Sequence, residues 1–334
     1  MGGGEQAALM VQNATGIHFA LTNQCDHARE AFSALQLSPL FSSAVCQFSD
    51  ISSLLQPWLW GDLGYDEQLK ASRGQNCRPA AADLDISGPH CTDHSKLGRK
   101  AGKDGPTARF FLSYMQELRE RRTKLAVIEN VSSGDFADML TGNLRDIYYI
   151  EEIRADPRDV GYFAVSRPRS YFVLVHREQG RFLRSPRNVY SEICSTLQQQ
   201  KDLRIPHLFW ERDEMELRRE RFASIPQSRS DDASGSAFSD QLPPFECKQL
   251  EGYKRMWKEH CSDKPADEAL FVLNQDCQKY TKWTLYGTDK EAGRCPTLVK
   301  GCGTTRLWHM QSERWATARE KLRTRIDAAC KANK

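Results

Sequence analysis

The stretch "AADLDISGPHC", residues 81–91, begins as an apolar strand pattern and ends in a turn that carries a cysteine. A cysteine kept for packing usually lies in an apolar run, because the thiol behaves as a small hydrophobic group. Cys91 instead precedes a glycine-rich loop with four basic residues: Lys96, Arg99, Lys100 and Lys103. A positive environment favours the nucleophilic thiolate over the thiol. The stretch therefore predicts a strand that ends at a reactive cysteine.

The segments around this strand alternate between helical and strand patterns. They are "HAREAFSAL" (27–35), "AVCQFSDI" (44–51), "RFFLSYMQELRERR" (109–122), "KLAVIENV" (124–131) and "SYFVLVH" (170–176). Such alternation predicts an α/β domain with a largely parallel sheet. Ligands bind outside the carboxyl ends of the strands in sheets of this kind. Asp50, Cys91 and Glu129 are each expected at such an end.

Composition excludes several classes of protein. The chain has 334 residues, of which 40% are hydrophobic and 27% charged, with a formal charge of only +3. These values predict an ordinary globular protein whose basic surface, if any, is local. No apolar run reaches the ~18 residues that a membrane span requires, and the N-terminus lacks a secretory signal pattern. Eleven cysteines without a C-x-x-C pair predict a reducing intracellular compartment, no disulfide framework and no metal site.

The residues after about 180 have a different character. Residues 209–222 predict a charged helix, and residues 224–246 have the composition of a disordered loop. Three later segments mix aromatic and basic residues: "YKRMWKEH" (253–260), "QKYTKWTLYG" (278–287) and "RLWHMQSERW" (306–315). Such mixing suits stacking and phosphate contact on nucleic acid, but aromatic residues serve core packing more often. Packing is therefore the favoured interpretation for each segment taken alone.

Three motifs, in order along the chain, resemble those of the cytosine-C5 DNA methyltransferases. Gly88-Pro89-His90-Cys91 is similar to the Pro-Cys motif of that family, with His90 where a second proline is usual. "IENV" (128–131) is similar to its Glu-Asn-Val motif. "GYFAVSRPRS" (161–170) resembles its Gln-x-Arg-x-Arg segment, with Val165 where glutamine is usual. The resemblance covers most of residues 1–325 and is weak in 180–270.

The resemblance implies a Rossmann-like sheet of the S-adenosylmethionine-dependent methyltransferases, with an inserted target-recognition region. It implies a catalytic domain at 1–180, a target-recognition region at 181–290 and a return segment at 291–334. The expected substrate is cytosine in DNA, and the expected protein is a monomer inside the cell, or in the nucleus if the organism is eukaryotic. A flipped-out base would then enter the site.

The resemblance also implies roles for individual residues. Cys91 would attack C6 of cytosine, and Glu129 would act as the hydrogen-bonding acid near N3 and the exocyclic amine. Arg169 would reach the cytosine O2, with support from Arg167. The cofactor, S-adenosylmethionine, would be bound by six residues: Gly2, Gly3, Gly4, Gln24, Asp50 and Pro89. Gln24 stands where an acidic ribose-binding residue is usual, and Asp50 where an aspartate lies near the adenine.

Alternatives remain open for both residues and function. Cys91 could be a structural thiol, Glu129 could cap the next helix, and Arg167 and Arg169 could be surface ion-pair partners. A tRNA cytosine methyltransferase would use the same catalytic residues, and a non-catalytic homologue would only bind nucleic acid. The family has a strand before its glycines and a Gly-Asn motif near its end, and this sequence has neither. The expectation is a chain incomplete at both termini, or a degenerate homologue that binds without catalysing. In either case the chain as given is expected to bind S-adenosylmethionine weakly or not at all.

Overall fold

The computed structural model describes residues 3–25, 46–48, 82–89, 91, 93, 101–163, 167–198, 242–263, 265–273, 307–317 and 320. The chain divides into two compact units. The first unit comprises Met1–Ala155 with Arg169–Tyr190, and the second comprises Asp156–Pro168 with Ser191–Lys334. The domain boundaries expected from the sequence, at 180 and 290, stay a prediction.

The first unit begins with a helix and a short pair of strands. The helix α1 spans Gly3–Thr15, and β1 (Asn23–Cys25) pairs in parallel with β2 (Cys46–Phe48). The second of these strands lies inside the predicted strand segment 44–51. The helical segment 27–35 lies outside the described residues.

A four-stranded sheet forms the centre of the first unit. Its strands are β3 (Leu84–Ser87), β4 (Leu125–Asn130), β5 (Tyr148–Ala155) and β6 (Arg169–His176), in the order β3-β4-β6-β5. Strands β3 and β4 are parallel, whereas β6 is antiparallel to both β4 and β5. The carboxyl ends of β3, β4 and β5 and the start of β6 therefore share one edge of the sheet. The sequence predicted this α/β class, and the structure confirms it.

The sheet differs from the prediction in one respect, because it is mixed rather than largely parallel. Segment 170–176 belongs to β6, which runs against its neighbours. Antiparallel strands need no helical crossover, so the β5–β6 connection can do without the helix that a parallel pair uses.

Two helices cover one face of this sheet. Helix α2 spans Ala108–Arg121 and buries four side chains spaced as i, i+3, i+4 and i+7: Phe111, Tyr114, Met115 and Leu118. Helix α3 spans Gly134–Leu144 and buries Phe136, whose ring stacks on that of Phe111 at 4.2 Å. This spacing is the amphipathic pattern that predicted α2 from the sequence. A further helix, α4 (Pro186–Gln198), follows β6.

The second unit contains a helix packed on a small sheet. Helix α5 (Pro244–His260) contacts an antiparallel sheet of β7 (Leu270–Val272), β8 (Leu307–His309) and β9 (Arg314–Trp315). Their shared core contains Tyr253, Trp257, Phe271, Trp308 and Trp315. Packing is therefore the correct interpretation of segments 253–260 and 306–315. Segment 278–287 lies outside the described residues.

The predicted disordered loop, 224–246, is wrong at its carboxyl end. Leu242 is buried, and residues 244–246 form the first turn of α5. A proline fits the first turn of a helix because the missing N–H has no partner there in any case, so Pro244 begins this helix rather than continuing a loop. Residues 224–241 and the charged segment 209–222 lie outside the described residues. Among the residues described, no helix combines the length and apolar character that crossing a membrane requires.

Candidate active site

The edge of the sheet at the carboxyl ends of β3 and β4 carries the residues that the three motifs single out. Gly88, Pro89 and Cys91 follow β3, Glu129 and Asn130 end β4, and Arg169 begins β6. Asn130 pairs with Ser170 and Glu129 with Tyr171 across β4 and β6. Strand direction alone thus gathers residues as distant in the sequence as Gly88 and Arg169.

Asn130 holds the turn that leads to Cys91. Its side chain is 1% exposed, and its Nδ2 donates a hydrogen bond to the Pro89 carbonyl at 3.3 Å. Its Oδ1 accepts from the Val131 N–H at 2.8 Å, which fixes which end of the amide faces the turn. The amide group therefore ties the end of β4 to the backbone two residues before Cys91. The Cys91 thiol is free and half-buried.

Glu129 and Arg169 form an ion pair on the face of the sheet opposite to the Asn130 side chain. Arg169 Nε lies 2.8 Å from Glu129 Oε1, and the two side chains are 17% and 32% exposed. A Cβ atom built on Gly88 would lie 3.4 Å from Glu129 Oε2, so the carboxylate faces the start of the cysteine turn. Helix α3 begins at Gly134 after the N-cap residue Ser133, so Glu129 is not its cap. One residue from each of the three motifs therefore lies at the Glu129 carboxylate: Glu129 itself, Arg169 and Gly88.

A buried serine continues the polar edge toward β5. Ser170 is 0% exposed, and its hydroxyl lies 2.6 Å from Glu152 Oε1 and 3.1 Å from the Ser132 hydroxyl. Burial raises the pKa of Glu152, but hydrogen bonds from Ser170 and Arg154 outweigh it and leave the pKa below its ordinary value. Glu152 is thus held ionised as a hydrogen-bond acceptor. No sequence pattern predicts this contact, because Ser132, Glu152 and Ser170 lie on separate segments of the chain.

Asp93 fixes the loop that leaves Cys91. Its carboxylate accepts hydrogen bonds from the Thr107 N–H at 2.8 Å and from the Thr107 hydroxyl at 2.5 Å. Its carbonyl accepts from the Gly102 N–H at 3.0 Å. These bonds join the start of the loop to its end, just before α2. An aspartate before the glycine-rich loop and a threonine before the helix were the available signals, and the sequence interpretation missed both.

Two half-buried carboxyl groups, those of Asp85 and Glu117, lie between β3 and α2. The Tyr114 hydroxyl donates to Asp85 Oδ1 at 2.5 Å and accepts from the Ser87 hydroxyl at 2.6 Å. Burial raises the pKa of Asp85, against the hydrogen bonds from Tyr114 and Ser87. Burial also raises the pKa of Glu117 to about 7, against the attraction of Arg121 at 2.9 Å. These groups lie on the helix-covered side of β3, whereas Glu129 lies on the other side of the sheet.

The remaining candidate residues are spread over several elements. Gly3 and Gly4 lie in the first turn of α1, and Gln24 is the middle residue of β1. Gly2 and Asp50 lie outside the described residues. Arg167 is exposed and lies two residues before β6. Within the described part of the chain, no group of three or more His, Cys, Asp or Glu residues could hold a metal ion.

Comparison with known proteins gives structural likenesses alone. No family model and no curated protein sequence matches the chain. A prophage-encoded E. coli protein assigned as a DNA modification methyltransferase is 15% identical, with a TM-score of 0.36 over 52% of this chain and 44% of its own. The S. pombe Dnmt2 methyltransferase is 18% identical, with a TM-score of 0.41 over 62% and 58%. The Entamoeba histolytica methyltransferase EhMeth is 18% identical, with a TM-score of 0.33 over 58% and 61%.

These solved structures are all methyltransferases, and the chain matches less than two thirds of the length of each. Every identity is below 25% and every TM-score is below 0.5. The likenesses therefore assign neither a family nor an activity to this chain.

Proposed function

We propose that this protein transfers a methyl group from S-adenosylmethionine to C5 of cytosine in DNA, through a covalent adduct with Cys91. The observation that carries the proposal is the meeting of three separate motifs at one carboxylate. Glu129 pairs with Arg169 at 2.8 Å, and its other oxygen lies 3.4 Å from the Cβ position of Gly88, three residues before Cys91. An acid, a guanidinium and a thiol at one sheet edge are the groups that this chemistry needs.

The thiolate of Cys91 makes the ring of cytosine reactive. Its electron pair forms a bond to C6 and turns the ring into an enamine-like nucleophile at C5. C5 then takes the methyl group, whose former electron pair stays on the sulfur of the cofactor. Loss of the C5 proton to a base and breakage of the Cys91–C6 bond restore the aromatic ring and the thiolate.

Glu129 and Arg169 stabilise the charge that this addition creates. A protonated Glu129 would donate to N3 while its other oxygen accepts from the exocyclic amine. Arg169 Nε lies 2.8 Å from Glu129 Oε1, so it fixes the carboxyl orientation, and its remaining N–H groups would reach the cytosine O2. Arg167 would support Arg169.

The cofactor would supply an electrophilic methyl group. The first turn of a helix offers backbone N–H groups without an intrahelical partner, and Gly3 and Gly4 occupy that turn of α1. Such donors suit a carboxylate or a ribose hydroxyl, and the Gln24 amide suits a hydroxyl. The donor chemistry therefore fits a methionine and a ribose. Gly2, Asp50 and Pro89 complete the proposed set.

The target base has to leave the duplex before it can reach Cys91, and extrusion costs a few kcal/mol. Lys96, Arg99, Lys100 and Lys103, in the loop after Cys91, would offset this cost by binding backbone phosphates. The protein would act inside the cell, and in the nucleus if the organism is eukaryotic.

One assay tests the function against its alternatives. The chain is incubated with radiolabelled S-adenosylmethionine and either cytosine-containing DNA or tRNA, with Cys91→Ser as the inactive control. We expect label in DNA that depends on Cys91. Label in tRNA alone would indicate the tRNA methyltransferase alternative. Binding of either nucleic acid without transfer would indicate a non-catalytic homologue.

A further inference from the structure

The loop after Cys91 is closed by a buried carboxylate. Asp93 is 1% exposed, and its carboxylate and its carbonyl accept hydrogen bonds from Thr107 and Gly102 at the far end of the loop. Burying a carboxylate costs free energy that only good hydrogen bonds offset. The N–H and hydroxyl of Thr107, at 2.8 and 2.5 Å, supply such bonds.

Two glycines of this loop each lie close to a carboxylate: Gly105 to that of Asp93, and Gly102 to that of Asp135. A Cβ atom on Gly105 would lie 2.3 Å from Asp93 Cγ, closer than any side chain could approach. Gly102 has φ +54°, and a Cβ atom there would lie 2.9 Å from Asp135 Oδ2 in the first turn of α3. The backbone therefore packs against two carboxylates in a way that only glycine permits.

Cys91 lies midway between two fixed points of the backbone. Two residues before it, the Pro89 carbonyl accepts from the buried Asn130 amide. Two residues after it, Asp93 is bonded to Gly102 and Thr107. Two residues of extended chain span at most about 7 Å, so both anchors restrict where the Cys91 sulfur can lie.

We propose that Asp93 is a positioning residue for Cys91, closing the loop so that the thiolate meets C6 of a bound cytosine at the correct distance and angle. This role rests on the proposed function. A nucleophile displaced by about 1 Å can lose on the order of 100-fold in rate, so an anchor two residues away affects the chemical step. Binding of DNA through the basic side chains depends on Asp93 far less.

The test uses Asp93→Ala and Asp93→Asn in the full chain, with Asp104→Ala as the matched control. Asp104 lies in the same loop and is exposed. DNA containing 5-fluorocytosine traps the covalent adduct, and the concentration dependence of trapping separates its maximal rate from the apparent affinity for DNA. We expect Asp93→Ala to lower the maximal rate roughly 100-fold, with the apparent affinity changed less than about threefold. Asp93→Asn keeps one acceptor for Thr107 and should recover about tenfold of that loss.

Hydrogen exchange measures directly whether the hydrogen bonds of the Asp93 carboxylate are formed. The amide proton of Thr107, which donates to the Asp93 carboxylate, should lose protection in Asp93→Ala, while the amide protons in the middle of α2 keep it. A maximal rate equal to that of Asp104→Ala, in protein that is equally folded, would overturn the positioning role. If the wild-type chain itself forms no adduct, the proposed function fails first, and the role of Asp93 fails with it.

Discussion

At the residue scale, Glu129 is the point at which separate parts of the sequence meet. One carboxyl oxygen takes the Arg169 guanidinium, and the other faces Gly88 at the start of the cysteine turn. The strand pattern predicted Cys91 and Glu129 at one edge of the sheet, and Arg169 was added only by the resemblance of its motif. It did not predict Asp93 or the contact between Ser170 and Glu152, since such contacts depend on side-chain directions that periodicity does not encode.

Glu129→Gln should slow methyl transfer by roughly 100-fold, because a hydrogen bond to the ring survives while the acid proton is lost. Glu129→Ala should slow it further. The matched control is Glu178→Gln, since Glu178 is also ion-paired but lies 69% exposed after the far end of β6. Steady-state transfer to DNA measures the effect, and equal activity of Glu129→Ala and wild type would refute the role.

Glu117 makes folding stability depend on pH. Its pKa is raised from 4.5 to about 7, chiefly by burial. Below pH 4.5 both the folded and the unfolded chain hold the proton, so Glu117 does not make the free energy of unfolding depend on pH. Between pH 4.5 and 7 only the unfolded chain releases it, so stability falls as the pH rises, and above 7 the loss is complete.

Glu117→Gln removes this loss of stability at higher pH, because a glutamine side chain does not ionise. The variant should match the wild type near pH 4 and become more stable by up to about 3 kcal/mol above pH 7. Denaturant unfolding at several pH values measures the difference. A difference that is the same at every pH would show that the pKa of Glu117 is not raised.

At the element scale, the sequence predicted the elements that have a clear period. Helix α2 follows from the apolar spacing of Phe111, Tyr114, Met115 and Leu118, and β4 from the compact apolar run before Glu129. The direction of β6 was not predictable, because the pattern of a strand says which side chains are buried and not which way the chain runs. The start of α5 was missed because a polar, proline-containing stretch also suits a loop.

The loop before α2 gives a test at this scale. Gly105→Ala should lower the free energy of unfolding by about 1–3 kcal/mol, because the new methyl group would lie 2.3 Å from Asp93 Cγ. Gly142→Ala is the matched control, since Gly142 lies within α3 with no atom within 4 Å of its Cβ position. That change should stabilise the protein by about 0.5–1 kcal/mol. Equal effects of the two substitutions on stability would contradict the close packing of Gly105 against Asp93.

At the scale of the whole molecule, buried aromatic residues form part of the core of each unit. The second unit has a core of its own, in which Trp308 is 0% exposed and Trp315 lies edge-on to it at 6.0 Å. Its ion pair between Arg314 and Glu320 is also buried, with two bonds of 2.7 and 2.8 Å. The tryptophans of segment 306–315 therefore stabilise this unit and do not form a stacking surface for bases.

Trp308→Ala should lower the free energy of unfolding of this unit by about 3–5 kcal/mol, because a large buried side chain is replaced by a cavity. Phe245→Ala is the control, since Phe245 is an aromatic residue of α5 that is 51% exposed. It should change stability by less than about 0.5 kcal/mol. Unchanged thermal unfolding of Trp308→Ala, together with weaker nucleic-acid binding, would favour the stacking interpretation instead.

The most direct test of the proposed function is covalent capture of the cysteine. The wild-type chain is incubated with S-adenosylmethionine and DNA that contains 5-fluorocytosine. Fluorine replaces the C5 proton whose loss would break the Cys91–C6 bond, so the enzyme stays attached to the DNA. We expect a denaturant-resistant protein–DNA adduct that peptide mass spectrometry maps to Cys91 and that Cys91→Ser abolishes. An adduct that persists in Cys91→Ser, or that maps to another cysteine, would contradict it.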